Sequence, residues 1–233
     1  MPRYNLSYWS VPFRGQFVRA ILAFAGQDWV ESEDEAISNL MRGPVSAMPV
    51  PFMGPPVLVD TETGFAVSQM PAIVLYLGDT LGLMPVDPQG RALTMKVVND
   101  ANDVIDELSL DGGKEMWTDA RWQQFRPRLQ KWMTIWEELG SRHGLTEHDG
   151  HLLGGVQPGV SDVITATLWH TVTDRFDRID QLLKETVPSI SALSERISKL
   201  PALTALDERT RRDFGDAYAG GQIGASMKKV LNK

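Results

Sequence analysis

The chain of 233 residues contains no cysteine. That absence excludes a disulfide framework, a thiolate-ligated metal and a cysteine nucleophile, and leaves nothing that points to an oxidising compartment. Long apolar runs are missing as well. Gly43 to Val59 is uncharged but holds Pro44, Pro49, Pro51, Pro55 and Pro56, so it cannot form a spanning helix. Thr63 to Gly78 is also uncharged, but it has only 16 residues and opens on turn and strand residues. The opening MPRYNLSYWS carries no apolar segment of signal-peptide length. A soluble, cytoplasmic protein without membrane association is expected. Positive charge is in deficit, with 23 Lys+Arg against 30 Asp+Glu and a net charge of −7, which argues against a nucleic-acid partner.

Several catalytic motifs are absent too. No GxxxxGK[ST] loop and no GxGxxG after a strand occurs, and GVSDV at Gly159–Val163 is not the GxSxG elbow. Ser161 and Asp162 stand where a helix should start, and first-turn duty explains them. Ser226-Met227-Lys228-Lys229 fits SxxK only by chance in a basic tail. His148, Asp149 and His151 are potential ligands, but their Gly-rich loop has no helical spacing to fix them, so no metal site is expected.

What is present is a globular composition, 42% hydrophobic and 23% charged, in a length that suits one large domain or two small ones. Tyr4–Tyr8 reads as a short strand. A helix follows from Arg14, with Phe17, Ala20, Ile21 and Phe24 on one face and Gly26 closing it. Trp29–Glu31 reads as a strand and Glu35–Met41 as a short helix. Val57–Asp60 turns at Thr61–Gly64 and returns through Phe65–Val67; Pro71 then opens a helix to about Leu81. After the linker Met84–Pro88 every element reads as helix. The apolar stripes run through Leu93 to Leu108, through Leu129, Trp132, Met133, Trp136 and Leu139, through Val163 to Leu168, and through Ile190 to Leu200. Pro127 is expected in the first turn of its helix. A small α/β unit thus precedes an all-helical one.

The first strand carries the most informative chemistry. Tyr8 ends it, Ser10 lies in the following turn and Arg14 opens the next helix. A hydroxyl beside a helix N-terminus is well placed to stabilise an anion. The alternative is that Tyr8 is an edge aromatic and Arg14 a solvated first-turn charge.

In their order along the chain, these features resemble the cytosolic glutathione transferases, in a bacterial-type member of a tyrosine or serine class with a pi-like opening. PPVLVDTETGFAVSQMPAIVLYLGDTLGL (Pro55–Leu83) is similar to the family's third and fourth strands and third helix. LSYWSVPFRGQFVRAILAFAGQDW (Leu6–Trp29) is similar to the first strand and helix of the tyrosine classes. VNDANDVIDEL (Val98–Leu108) and GGVQPGVSDVITATLW (Gly154–Trp169) resemble the fourth and sixth helices. The resemblance implies a thioredoxin-like domain over residues 1–83 that binds glutathione. It further implies an all-α domain over 90–233 that supplies an electrophile pocket, a homodimer, and a role in detoxification.

By position, the resemblance makes Tyr8 the hydrogen-bond donor to the glutathione sulfur, with Ser10 as the rival donor, and Arg14 its support. It makes Pro56 a cis-proline beside Pro55, brings Gln69 and Met70 to the γ-glutamyl end, and lets Asp103 reach the partner subunit's glutathione. Met116 and Trp117 would line the electrophile pocket, or else be plain core. The activity implied is transfer of glutathione to hydrophobic electrophiles, with glutathione as co-substrate and no metal. Glutathione-dependent peroxide or disulfide reduction, and a non-catalytic glutathione-binding protein, are the alternatives. Three positions depart from the family: Met70 stands for a serine, Pro55 lacks an N–H, and Gly159 replaces a Ser or Thr cap. Because the chain has no cysteine, the reactive thiol must belong to the ligand.

Overall fold

The computed structural model describes residues 2–232, so residues 1 and 233, the outer ends of the two expected units, lie outside the described residues. The N-terminal part contains β1 (Tyr4–Ser7), α1 (Phe13–Phe24), β2 (Trp29–Glu31), α2 (Asp34–Arg42), β3 (Val57–Asp60), β4 (Ala66–Ser68) and α3 (Met70–Thr80). The strands lie in the order β2-β1-β3-β4. β2 runs parallel to β1 across the α1 crossover, and β3 is antiparallel to both β1 and β4. Tyr4 and Leu6 of β1 and Leu58 of β3 are buried against α1 and α3, whose Phe17, Ile21, Ile73 and Leu77 complete that layer. The spacing that predicted α1 as amphipathic is therefore what seats it on the sheet. Asp60 ends β3 as a fully buried carboxylate. It accepts from Arg3 Nη2 at 2.7 Å and from the Tyr76 hydroxyl of α3 at 2.6 Å.

The remainder is helical: α4 (Pro88–Leu108), a four-residue turn α5 (Leu110–Gly113), α6 (Asp119–Arg142), α7 (Val160–Thr173), α8 (Asp177–Thr186), α9 (Pro188–Ser198), α10 (Pro201–Phe214) and α11 (Gly221–Leu231). Helix α7 is buried along nearly its whole length and packs on α1, α4 and α9. It joins the two halves. Gly159 is its N-cap and offers no side chain, but Asp162 compensates by accepting the N–H groups of Gly159 at 2.9 Å and of Leu152 at 2.7 Å. Burial raises the Asp162 carboxyl, an effect those amides oppose.

The expected elements hold, with corrected ends. Phe65 belongs to the turn, where its carbonyl accepts the Asp60 N–H, and Tyr8 lies just beyond β1. Pro127 does not open a helix; it lies inside α6, which starts at Asp119 under a Thr118 cap on Arg121 N. Proline in a helix interior removes the bond to the carbonyl four residues back, here that of Gln123, at a cost of about 3 kcal/mol. Gln123 and Pro127 are both exposed, so the interruption falls on the solvent side of the helix. Trp122, Phe125 and Leu129 on the opposite face are buried and hold the helix together across the interruption.

Candidate active site

One end of the sheet gathers residues that are far apart in the chain. Ser7 pairs with Val57, and Val57 pairs with Ser68. Tyr8, Pro56 and Gln69 therefore follow or precede three paired residues at the same sheet end, on strands about 4.8 Å apart. The Pro55–Pro56 peptide is cis. Gln69 has φ 73° and ψ 122°, a conformation that non-glycine residues hold only where surrounding structure enforces it. The amide of Met70 opens α3 and, by its position, has no partner within the helix. The Met70 side chain is buried in the core, so at this position only the backbone is offered to a ligand.

Tyr8 is 4% exposed, and its hydroxyl accepts the Arg14 N–H at 3.1 Å. Helix α1 begins without a side-chain cap because Pro12 occupies that place, so the Tyr8 oxygen takes over one of its unsatisfied amides. No acceptor for the Tyr8 proton is found among the described residues, which leaves that proton available to a ligand. Burial pushes the Tyr8 phenol up to about 12, against the opposing influence of Arg14. The group is a neutral donor at physiological pH. A Cβ on Gly15 would stand 2.2 Å from the Tyr8 ring, so this helix turn has no room for any larger residue while the ring stays in place.

The rival hydroxyl is differently engaged. Ser10 is exposed, and both its N–H and its hydroxyl donate to Asp34 Oδ1 at the start of α2, at 3.0 and 3.1 Å. Arg14 turns towards α4, donating to Asn102 Oδ1 at 3.1 Å and Asp106 Oδ1 at 2.8 Å. It thereby ties the start of α1 to the helical half. Asp103 is exposed on α4, and its carboxyl is raised by burial of its surroundings and by Asp100, Glu107 and Asp106. The Trp117 indole is buried, donates to the Leu108 carbonyl at 2.9 Å and packs edge-on against Trp122 and Phe125. Met116 beside it is 38% exposed.

Arg19 is a structural contributor that sequence reasoning did not single out. Its guanidinium, 2% exposed, donates to both Glu31 oxygens and to the carbonyls of Trp9 at 3.3 Å and Val11 at 2.8 Å. Burial would raise the Glu31 carboxyl, but Arg19 outweighs it and holds the group below the usual range. The arginine so fixes the turn between Tyr8 and α1. Arg19 lies on the face of α1 opposite the stripe of Phe17, Ala20 and Ile21, where helical periodicity reads a charge as solvated, so the sequence carried no signal for it.

Residues 93–230 match the family model described as glutathione S-transferase, C-terminal domain. The chain belongs to the glutathione S-transferase family. It is 31% identical to glutathione S-transferase P of Bos taurus over 137 residues, 54% of this chain and 61% of the bovine protein. That match spans less than two thirds of the relative's length. Among solved structures, a pi-class glutathione S-transferase of Onchocerca volvulus superposes with a TM-score of 0.74 at 15% identity, covering 94% of this chain and 98% of the other. A monomeric glutathione S-transferase of the hookworm Necator americanus gives 0.72 at 20% identity, covering 89% and 97%. These likenesses establish the glutathione transferase fold, a thioredoxin-like unit followed by an all-helical one.

Proposed function

We propose that the protein binds glutathione at this sheet end and transfers its thiolate to hydrophobic electrophiles, with the Tyr8 hydroxyl donating a hydrogen bond to the sulfur. The observation that carries the reading is the Tyr8 hydroxyl: its oxygen accepts the Arg14 N–H, and its proton has no acceptor among the described residues. Ser10, already donating to Asp34, is the weaker candidate, which favours a tyrosine-type member. A free thiol of pKa ~8.5 is about 3% ionised at pH 7. Lowering that pKa by about two units requires roughly 2.7 kcal/mol of preference for the anion. One charge-assisted hydrogen bond supplies ~1.5–3 kcal/mol and a helix N-terminus adds ~0.3–1. Tyr8 and the start of α1 therefore suffice. The thiol proton passes to solvent and the thiolate attacks an electrophilic carbon. The new C–S bond either expels a leaving group with its electron pair or adds across a conjugated double bond, whose carbanion then takes a proton from water; no bond to the protein forms.

The other assignments follow the same reading. Pro55 offers its carbonyl to the peptide's cysteine unit, Pro56 shapes that turn, and Gln69 with the Met70 amide receives the γ-glutamyl carboxylate at the start of α3. Met116, open to solvent, is the better of the two pocket candidates, and Trp117 backs it from the core. The glutathione-binding domain spans 1–83 and the helical domain 90–233. We also infer a cytoplasmic homodimer. A groove of about 410 Å³ along α6 beside α4 is lined by Ile135 and Leu139 together with Lys96, Lys131, Glu138 and Arg142, and Met53 is 90% exposed; Asp103 on α4 would then accept the partner-bound ammonium.

Ultraviolet titration of bound glutathione tests binding and activation together. Thiolate absorbance at neutral pH is expected, with the bound thiol titrating about two units below the free one. Tyr8→Phe should remove that depression and lower kcat about 10- to 150-fold, the equivalent of one charge-assisted bond, whereas Ser10→Ala should change neither. The opposite pattern would transfer the role to Ser10. Tight binding with an unshifted thiol would identify a non-catalytic binder, the alternative favoured by Pro55 and Met70.

A further inference from the structure

The N–H of Phe13, the first residue of α1, is accepted by the backbone carbonyl of Tyr218 at 3.2 Å. The next amide, of Arg14, is the one bound by the Tyr8 hydroxyl. Two successive amides at this helix start, left uncapped by Pro12, are thus satisfied from opposite ends of the chain. Phe13 has φ 33°, a left-handed value costly for a residue with a side chain, and such residues persist where surrounding contacts over-determine them. Here the contacts are visible. The Tyr218 ring stands edge-on to Phe13 at 5.7 Å and to Phe176 at 5.4 Å. The Arg14 guanidinium lies over the Phe13 ring, 5.0 Å from its centroid.

Tyr218 is itself fixed. It is 4% exposed in the segment between α10 and α11. Beyond it, α11 is anchored by the Trp117 N–H donating to Ser226 Oγ at 3.2 Å and by Ile223 filling the space over Gly113. Because Gly215 and Gly220 flank the segment, its backbone has little stiffness of its own, and the wedged ring is what holds the carbonyl in place. The Tyr218 hydroxyl is buried and has no hydrogen-bond partner among the described residues, so the ring and the carbonyl, not the phenol, carry the contact.

We propose that Tyr218 is a positioning residue for the hydroxyl that donates to the thiolate: it clamps Phe13 in its left-handed conformation and so keeps the start of α1 against the Tyr8 hydroxyl. This rests on Tyr8 being the donor. Released, Phe13 relaxes to negative φ, and the Arg14 amide leaves the Tyr8 oxygen. The phenol then loses the group that orients it towards the sulfur. The glutathione contacts on β3, β4 and α3 stay in place, so binding is spared.

The test compares Tyr218→Ala with Tyr218→Phe in the full chain. Alanine should raise the bound thiol pKa by about one unit and lower kcat about tenfold, with the glutathione KM changed less than twofold; phenylalanine should behave as wild type in both. Amide hydrogen exchange gives a readout that needs no activity: Phe13 and Arg14 should exchange at least tenfold faster in Tyr218→Ala and at the wild-type rate in Tyr218→Phe. If the alanine variant does not fold, Phe176→Leu loosens the same seat and should shift exchange and thiol pKa in the same direction. Unchanged exchange at Phe13 and Arg14 overturns the proposal, as does a Tyr218→Phe variant as impaired as alanine. Faster exchange in a protein that never ionises glutathione would keep the clamp and overturn the assigned chemistry instead.

Discussion

Tyr8 and Gly15 form a matched pair, a ring and the space it fills. Adding one methyl at Gly15 brings a carbon to 2.2 Å from the Tyr8 ring, so Gly15→Ala should displace the phenol. The expected outcome is a fall in kcat of more than tenfold and a loss of about 1–3 kcal/mol in denaturant unfolding, the usual range for overpacking. Because burial pushes Tyr8 up to about 12, the phenol stays neutral over the working range. The kcat/KM profile should therefore rise once, through the glutathione thiol, with no second limb from Tyr8 below about pH 11. A phenolate absorbance appearing near neutrality in the free protein would contradict the donor role. At this scale the sequence was legible where chemistry sits on a strand end: Tyr8 and Arg14 stand out beside a helix start. Tyr218 was not legible. It lies in DAYAGG, which has no periodicity, and its contact is made by a backbone carbonyl that any residue possesses.

Among the elements, α7 depends on a carboxylate that bridges two segments. The two oxygens of Asp162 accept from Leu152 and Gly159 separately, and an amide side chain has one acceptor oxygen for those two donors. Asp162→Asn should therefore leave one buried N–H unsatisfied and cost about 1–3 kcal/mol, read as a shift in the denaturation midpoint at an unchanged slope. Glycine as N-cap was recognisable in the sequence as a weak start, and Asp162 three residues on was recognisable as its support. The start of α6 was not. Proline favours a first turn, and Pro127 was read that way. The Thr118 cap and the buried Trp122 and Phe125 override it, an instance of tertiary packing outweighing local preference. Trp117 illustrates a related limit: an aromatic after a helix is equally compatible with a pocket wall and a core, and only its bond to the Leu108 carbonyl shows which way the indole faces.

For the whole molecule, the order of elements was readable because each strand and helix keeps its own period, and the switch from mixed to purely helical patterning falls near the Met84–Pro88 linker. The sheet register was not readable, and with it the gathering of Tyr8, Pro56 and Gln69 at one end. Acid sensitivity is also a property of the whole fold. The Arg3 guanidinium holds the Asp60 carboxyl well below its usual range against the effect of burial, with Tyr76 assisting. The folded value lies below the unfolded one, so this stabilisation is complete above about pH 4 and is lost as pH falls through the folded value. Unfolding free energy should decline on acidification below about pH 4. Asp60→Asn should cost about 2–3 kcal/mol at pH 7 and approach the wild type at low pH. A constant difference between the two proteins across that range would show that Asp60 is not the group responsible.

The bond between the Phe13 amide and the Tyr218 carbonyl joins two residues far apart in the sequence. During synthesis the N-terminal segment emerges first, so β1 and α1 are available long before residue 218 has left the ribosome. The sheet can assemble early, but the helix start beside Tyr8 acquires its partner from the Tyr218 backbone only after residue 218 has been made. A chain arrested before residue 218 would carry the phenol beside a helix start that lacks its Tyr218 partner.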